Sequence, residues 1–135
     1  MNCVPFDFAT PNVPLAPLTY YKVGGPCRLL LTPRSREEAC AAFEWMLRQP
    51  GGKMILGAGS NVLIADSGFD GIVLATTGLN RLDQIDEDTY EVESGVMLDR
   101  LVTEVMLPNN YEGVGGLTGI PGTVGGAVFM NAGTV

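Results

Sequence analysis

Apolar residues along this 135-residue chain switch between two spacings, and each switch marks a change of element. Arg28-Leu29-Leu30-Leu31-Thr32, bracketed by Pro26 and Pro33, is the short apolar run of a strand covered on both faces. The period then becomes helical. Ser35 stands as N-cap with Glu38 three residues on, and Ala39, Phe43, Met46 and Leu47 recur on one face as far as Gln49. Pro50-Gly51-Gly52 ends that helix, and Lys53-Met54-Ile55-Leu56 is the next strand, so residues 28–56 form a strand-helix-strand unit, a connection normally right-handed. Gly71–Ala75 predicts a further strand, and Tyr90-Glu91-Val92-Glu93 alternates polar with apolar. Leu98, Leu101, Val102, Val105 and Met106 repeat at helical spacing up to Pro108. Residues 1–18 hold Pro5, Pro11, Pro14 and Pro17, each fixing φ and removing a donor, which predicts an irregular or extended lead-in. The expected sheet is mixed.

The end of the chain has a different texture. Eight of its 18 glycines fall between Gly113 and Gly133, and Lys and Arg are absent after Arg100. A phosphate held by this segment must therefore be held by main-chain N–H groups, which glycine allows to approach closely. Val114, Leu117, Ile120, Val124, Val128, Phe129 and Met130 make it too apolar for a solvated tether. A second cluster, Leu56-Gly57-Ala58-Gly59-Ser60-Asn61-Val62-Leu63, sits at the carboxyl end of a strand. Its Gly-x-Gly turn can aim consecutive N–H groups at one anion, helped by the Ser60 hydroxyl and the Asn61 amide; a turn that uses its glycines for geometry alone is the equal alternative. Two such loops, approaching from opposite sides of a sheet, suit the diphosphate of a dinucleotide with an apolar slot for a planar ring.

Composition narrows the chemistry. Eight Lys and Arg against 15 Asp and Glu give a formal charge of -7, which disfavours nucleic acid and anionic lipid as partners. There is no histidine, so the commonest general base and the Ser-His and Cys-His nucleophile pairs are missing, and chemistry falls to a cofactor. Cys3, Cys27 and Cys40 form no Cys-x-x-Cys pair, so no metal site or disulfide framework is expected, and a reducing, cytoplasmic setting follows. The six acids between Asp83 and Glu93 lack a ligand-loop spacing and read as a solvated hairpin. No run reaches the roughly 20 apolar residues of a membrane span. Two nucleotide fingerprints fail: the nucleoside-triphosphatase loop needs Gly-Lys-Ser/Thr where Gly59-Ser60-Asn61 stands, and the Rossmann pattern needs glycine at Val62 and an acid near Thr77.

Thr19-Tyr20-Tyr21-Lys22-Val23-Gly24-Gly25-Pro26, then Leu56 to Leu63, then Gly119-Ile120-Pro121-Gly122-Thr123-Val124-Gly125-Gly126-Ala127-Val128-Phe129-Met130-Asn131-Ala132-Gly133 occur in that order. From Thr19 onward the chain resembles the UDP-N-acetylenolpyruvoylglucosamine reductases, also called UDP-N-acetylmuramate dehydrogenases, within the vanillyl-alcohol-oxidase group of flavoproteins. The resemblance implies an α+β, PCMH-type FAD-binding domain and not a Rossmann fold. Its small β-α-β lobe would span about 19–75, and a mixed or antiparallel lobe, apparently truncated, about 76–135.

It also implies non-covalent FAD, NADPH as co-substrate of the full-length enzyme, a UDP-sugar enolpyruvyl ether as substrate, and a place in peptidoglycan synthesis, hence cell shape and division. By motif match, Leu56 to Leu63 and Gly119, Pro121, Gly122, Thr123, Val124, Gly125 and Gly126 would hold the diphosphate region. Tyr20, Asn61, Ile120 and Asn131 would line the ribityl, adenine or flavin regions. The family's Arg, its proton-donating Ser and its Glu have no counterpart here, so no catalytic residue is assigned, the substrate-binding domain is absent, and the chain reads as a fragment that contacts FAD without turnover. The alternatives are another FAD-linked oxidoreductase of the same fold, or a non-catalytic flavin- or nucleotide-binding module.

Overall fold

Each strand of the central sheet is placed by what its two faces must cover. In the computed structural model, which describes residues 4–133, the sheet runs β1 (Ala9–Pro14), β2 (Pro26–Leu31), β4 (Phe69–Ala75), β3 (Gly52–Leu56) in spatial order. β4 is parallel to both β2 and β3, and β1 is antiparallel to β2, so the sheet is mixed. With a neighbour on either side and a covered layer on either face, β4 is buried from Gly71 to Ala75. Its side chains alternate as strand geometry requires. Ile72 and Leu74 join Leu29 and Leu31 of β2 in one apolar layer, while Val73 and Leu30 face the other with Leu15, Leu56 and Ile64.

The first layer is closed by α1 (Arg36–Leu47) through Ala42 and Met46, and by Phe6, Phe8 and Trp45 at its margin. Ser35 caps α1 as expected, its Oγ accepting from the Glu38 N–H at 3.2 Å. The return bond of the capping box is shifted by one residue: Glu38 Oε2 accepts from the N–H of Arg34, at 2.7 Å. Phe43 and Leu47, expected in the core, are 39% and 56% exposed; they line a groove together with residues of β3 and do not join the layer that Ala42 and Met46 close.

Two features go beyond what the pattern predicts. The 1–18 segment is not merely a lead-in: its extended part is β1, whose prolines are tolerated because the strand lies at the sheet edge. And β2 and β3 are not neighbours, since β4 inserts between them, so α1 spans two strand positions and the β3–β4 link is the glycine-containing stretch 57–68 with no helix.

Beyond β4 come a two-stranded hairpin, β5 (Leu82–Gln84) and β6 (Tyr90–Val92), then α2 (Leu98–Leu101) and α3 (Val124–Phe129). The expected single helix over 98–106 begins as α2 and widens into a π turn over Val102–Met106, where the Leu107 N–H reaches back five residues to the Val102 carbonyl at 2.9 Å. Leu98, Val102 and Val105 are the buried positions of that stripe. Of the hairpin acids, Asp86, Glu87, Asp88 and Glu91 are exposed and Asp83 and Glu93 are half-buried. Asp83 pairs with Arg81, Glu91 with Arg36 at 3.6 Å, and the Glu93 carboxylate accepts the Arg81 N–H at 2.8 Å.

Candidate functional site

The chain leaves the carboxyl end of β3 at Gly57 and turns sharply at Gly59, which is buried and has φ of 67°, a left-handed value that glycine adopts without a Cβ penalty. A Cβ there would run into the Leu18 carbonyl, and the Gly59 carbonyl accepts the Tyr20 N–H at 2.9 Å. The second glycine loop enters through Ile120-Pro121-Gly122 and ends at Thr123, the N-cap of α3, whose Oγ1 accepts the Gly126 N–H at 3.3 Å. It is tied to the start of α2 and to the segment before it: Leu98 N–H donates to the Gly122 carbonyl at 2.9 Å, and Val124 N–H to the Val96 carbonyl at 2.8 Å.

The two loops touch. The Ser60 hydroxyl donates to the Pro121 carbonyl at 3.1 Å, and an added Cβ on Gly57 would lie 2.5 Å from Thr123 Oγ1. They therefore meet directly and do not stand apart on two sides of the sheet. Beside the junction is a cleft of about 460 Å³, within the roughly 300–1,000 Å³ usual for small-molecule sites. None of its lining residues is charged.

Unpartnered main-chain donors give the cleft its polarity. The N–H groups of Gly57, Ala58, Gly59, Ser60, Asn61, Gly122 and Thr123 have no protein acceptor among the described residues. The carbonyls of Gly59, Pro121 and Gly122, in contrast, are all engaged. A trans peptide sets its C=O and the following N–H antiparallel, so tying these three carbonyls fixes the directions of the Ser60, Gly122 and Thr123 N–H groups. Unspent donors with no carboxylate near them suit an anionic ligand.

Of the residues expected to bind a cofactor, Leu56, Gly57, Ala58, Gly59, Ser60, Asn61, Val62, Ile120, Pro121, Gly122, Thr123 and Gly126 line this cleft. Tyr20, Leu63, Gly119, Val124, Gly125 and Asn131 do not. Tyr20 adjoins it through its main chain, while its ring is exposed and edge-on to Tyr21. Gly125 has a packing reason instead, since a Cβ there would lie 2.8 Å from Ser94 Cβ, and its N–H is used by the Ser94 carbonyl. Sequence reasoning missed Ile55, Ala127, Phe129, Met130 and Ala132 as lining residues. For Ala127 and Phe129 the signal is the apolar spacing of α3. A second, largely apolar groove of about 600 Å³ shares Ile55, Gly57, Gly126 and Phe129 with the cleft and is also lined by Phe43 and Leu47.

A family model described as FAD binding domain matches residues 27–135. The chain belongs to the FAD-binding domain family. Its glycine loops and cleft lie inside the matched region, and its fold is of the α+β, PCMH type. This FAD-binding domain is 37% identical over 123 residues to a UDP-N-acetylenolpyruvoylglucosamine reductase of Treponema denticola, covering 88% of this chain and 38% of the relative. It is 40% identical over 119 residues to the Clostridium tetani protein of the same name, covering 85% and 37%. The crystal structure of UDP-N-acetylenolpyruvylglucosamine reductase from Thermus caldophilus superimposes with a TM-score of 0.71 at 37% identity, over 91% of this chain and 42% of that one. The domain thus spans about two fifths of the length of these relatives.

Proposed function

We propose that the chain binds FAD non-covalently, its diphosphate in the cleft between the 57–61 and 120–126 loops, as the FAD-binding part of a cytoplasmic UDP-N-acetylenolpyruvoylglucosamine reductase. The observation that carries this is the donor inventory: seven main-chain N–H groups without protein acceptors among the described residues, all on the two loops that line an uncharged cleft. That donor set fits a diphosphate, which brings only acceptors. Gly122 lines the cleft, buried with φ of 129°, and its Cβ position is filled by the Ser60 hydroxyl, so the missing side chain is what lets the two loops close on each other. When bound, FAD supplies two-electron chemistry, taking hydride from NADPH and passing it to the enolpyruvyl ether of a UDP-sugar to give UDP-N-acetylmuramate for peptidoglycan synthesis.

What this chain's residues do is bind and shield. The Gly57–Asn61, Gly122 and Thr123 amides hold the linked phosphates, and Leu56 and Ile120 give the cleft an apolar lining. Tyr20, Asn61 and Asn131 meet the parts of the dinucleotide beyond the diphosphate. No residue here takes the role of proton donor to the substrate carbon. Residues 1–135 alone therefore hold flavin without turning over the UDP-sugar.

The test is a titration of flavin-stripped protein with FAD, followed by flavin fluorescence and visible absorbance. Saturable one-to-one uptake, lost in Gly122→Val with the fold intact by circular dichroism, is expected. A protein that takes up no FAD, or a Gly122→Val variant of equal affinity, would sink the proposal.

A further inference from the structure

We infer that Ser60 is a positioning residue of the cleft, its hydroxyl serving as a latch between the two glycine loops and not as a ligand of the bound anion. The inference rests on the FAD reading above for its ligand, and on the protein alone for its geometry. A serine hydroxyl has one proton to give. In this structure that proton goes to the Pro121 carbonyl at 3.1 Å, across 61 positions of sequence. Among the described residues it is the one side-chain hydrogen bond joining the 57–61 loop to the 120–126 loop.

The consequence follows from peptide planarity. The Pro121 carbonyl and the Gly122 N–H belong to one peptide plane and point in opposite directions, so holding the carbonyl back toward Ser60 turns the Gly122 N–H the other way. The next plane is fixed likewise by Leu98 N–H on the Gly122 carbonyl. The plane in the first loop that carries the Ser60 N–H is fixed by Tyr20 N–H on the Gly59 carbonyl. Of these three ties, only the one on Pro121 is made by a side chain, so it is the only one that substitution can remove cleanly. Gly122 shows how closely the latch is fitted. A Cβ added there would lie 2.8 Å from Ser60 Oγ. Without the latch, the Pro121 carbonyl is free to swing, and one N–H of the anion cradle loses its aim.

The experiment compares wild type, Ser60→Ala and Ser60→Thr in flavin-free protein by amide hydrogen exchange, then titrates each with FAD. Ser60→Ala should speed exchange of the Leu98 and Val124 amides, which bridge the second loop to its neighbours, by roughly 2- to 10-fold, the range of one net hydrogen bond. FAD affinity should fall by a similar factor, and Ser60→Thr, which keeps the hydroxyl, should restore both. Weakened FAD binding with unchanged exchange would make Ser60 a direct ligand and overturn the latch. Unchanged exchange together with unchanged affinity would overturn it too. If wild type takes up no FAD, the proposed function fails, while exchange in the apo protein still decides the latch.

Discussion

Replacing Gly57 by Ala isolates the contact that joins the two glycine loops. Gly57 is not among the positive-φ residues, so the new methyl brings no backbone strain and its whole cost is steric. That methyl would stand 2.5 Å from Thr123 Oγ1, a side chain 1% exposed and already engaged in capping α3. Overfilling a packed contact of this kind costs about 1–3 kcal/mol. Each kcal/mol lowers the melting temperature of a domain this size by about 4 °C. The variant Thr123→Ala gives up the cap and costs about 1 kcal/mol by itself. The pair should cost less than the sum. Thr123 Cβ lies 3.6 Å from the Gly57 Cβ position, an ordinary contact, so removing Oγ1 makes the room the methyl needs. Chemical denaturation of the two single variants and the double variant should therefore give a favourable coupling of about 1–2 kcal/mol. Additivity within about 0.5 kcal/mol would refute the direct contact between the loops.

Ser35→Ala should lower stability by about 1 kcal/mol through loss of the α1 cap while leaving FAD affinity unchanged, read by denaturation and flavin titration. Gly125→Val should destabilise by pressing on Ser94, and its flavin uptake should fall only in step with its loss of folded protein, unlike Gly122→Val. The Asp86 carboxyl is held below its usual range by hydrogen bonds from the Thr89 side chain and the Asp88 N–H. Its folded value is depressed, so its contribution is present above the ordinary carboxylate range and is lost as pH falls through the folded value. Asp86→Asn should flatten that acid limb in amide exchange of the β5–β6 hairpin; an unchanged limb would contradict the assignment. Burial pushes the Cys27 thiol up, whereas Cys40 is exposed, so iodoacetamide should modify Cys40 in the native protein and Cys27 only after denaturation, as read by peptide mapping.

Much of this architecture was legible where the signal is local. Ser35 and Glu38 announce the start of α1, and Arg28–Thr32 and Gly71–Ala75 show the unbroken apolar runs of buried strands, as the structure has them. What stayed hidden is non-local. Nothing between Leu31 and Phe69 indicates that β4 slips between β2 and β3, because strand order is decided by pairing across the sheet. The prolines of residues 9–14 masked an edge strand, since proline argues against a ladder only where its missing N–H is needed. The π turn at Val102–Met106 keeps the apolar stripe of an α-helix and so leaves no trace in the pattern. At the cleft, glycine density revealed both loops, but it could not separate Gly122, which borders the cleft, from Gly125, which packs on Ser94. The bond from Ser60 to Pro121 depends on two segments meeting in space, and no spacing rule reaches that far.

The cleft is lined without a single ionisable side chain. Amide protons do not titrate near neutrality, so an anion received there gains or loses affinity with acidity only through its own protonation. A lysine- or histidine-based receptor would carry a titration curve of its own; this one would hold its occupant evenly over the range in which the protein stays folded. Selection at such a place acts on bulk, through the absence of Cβ atoms, and leaves charge nothing to tune.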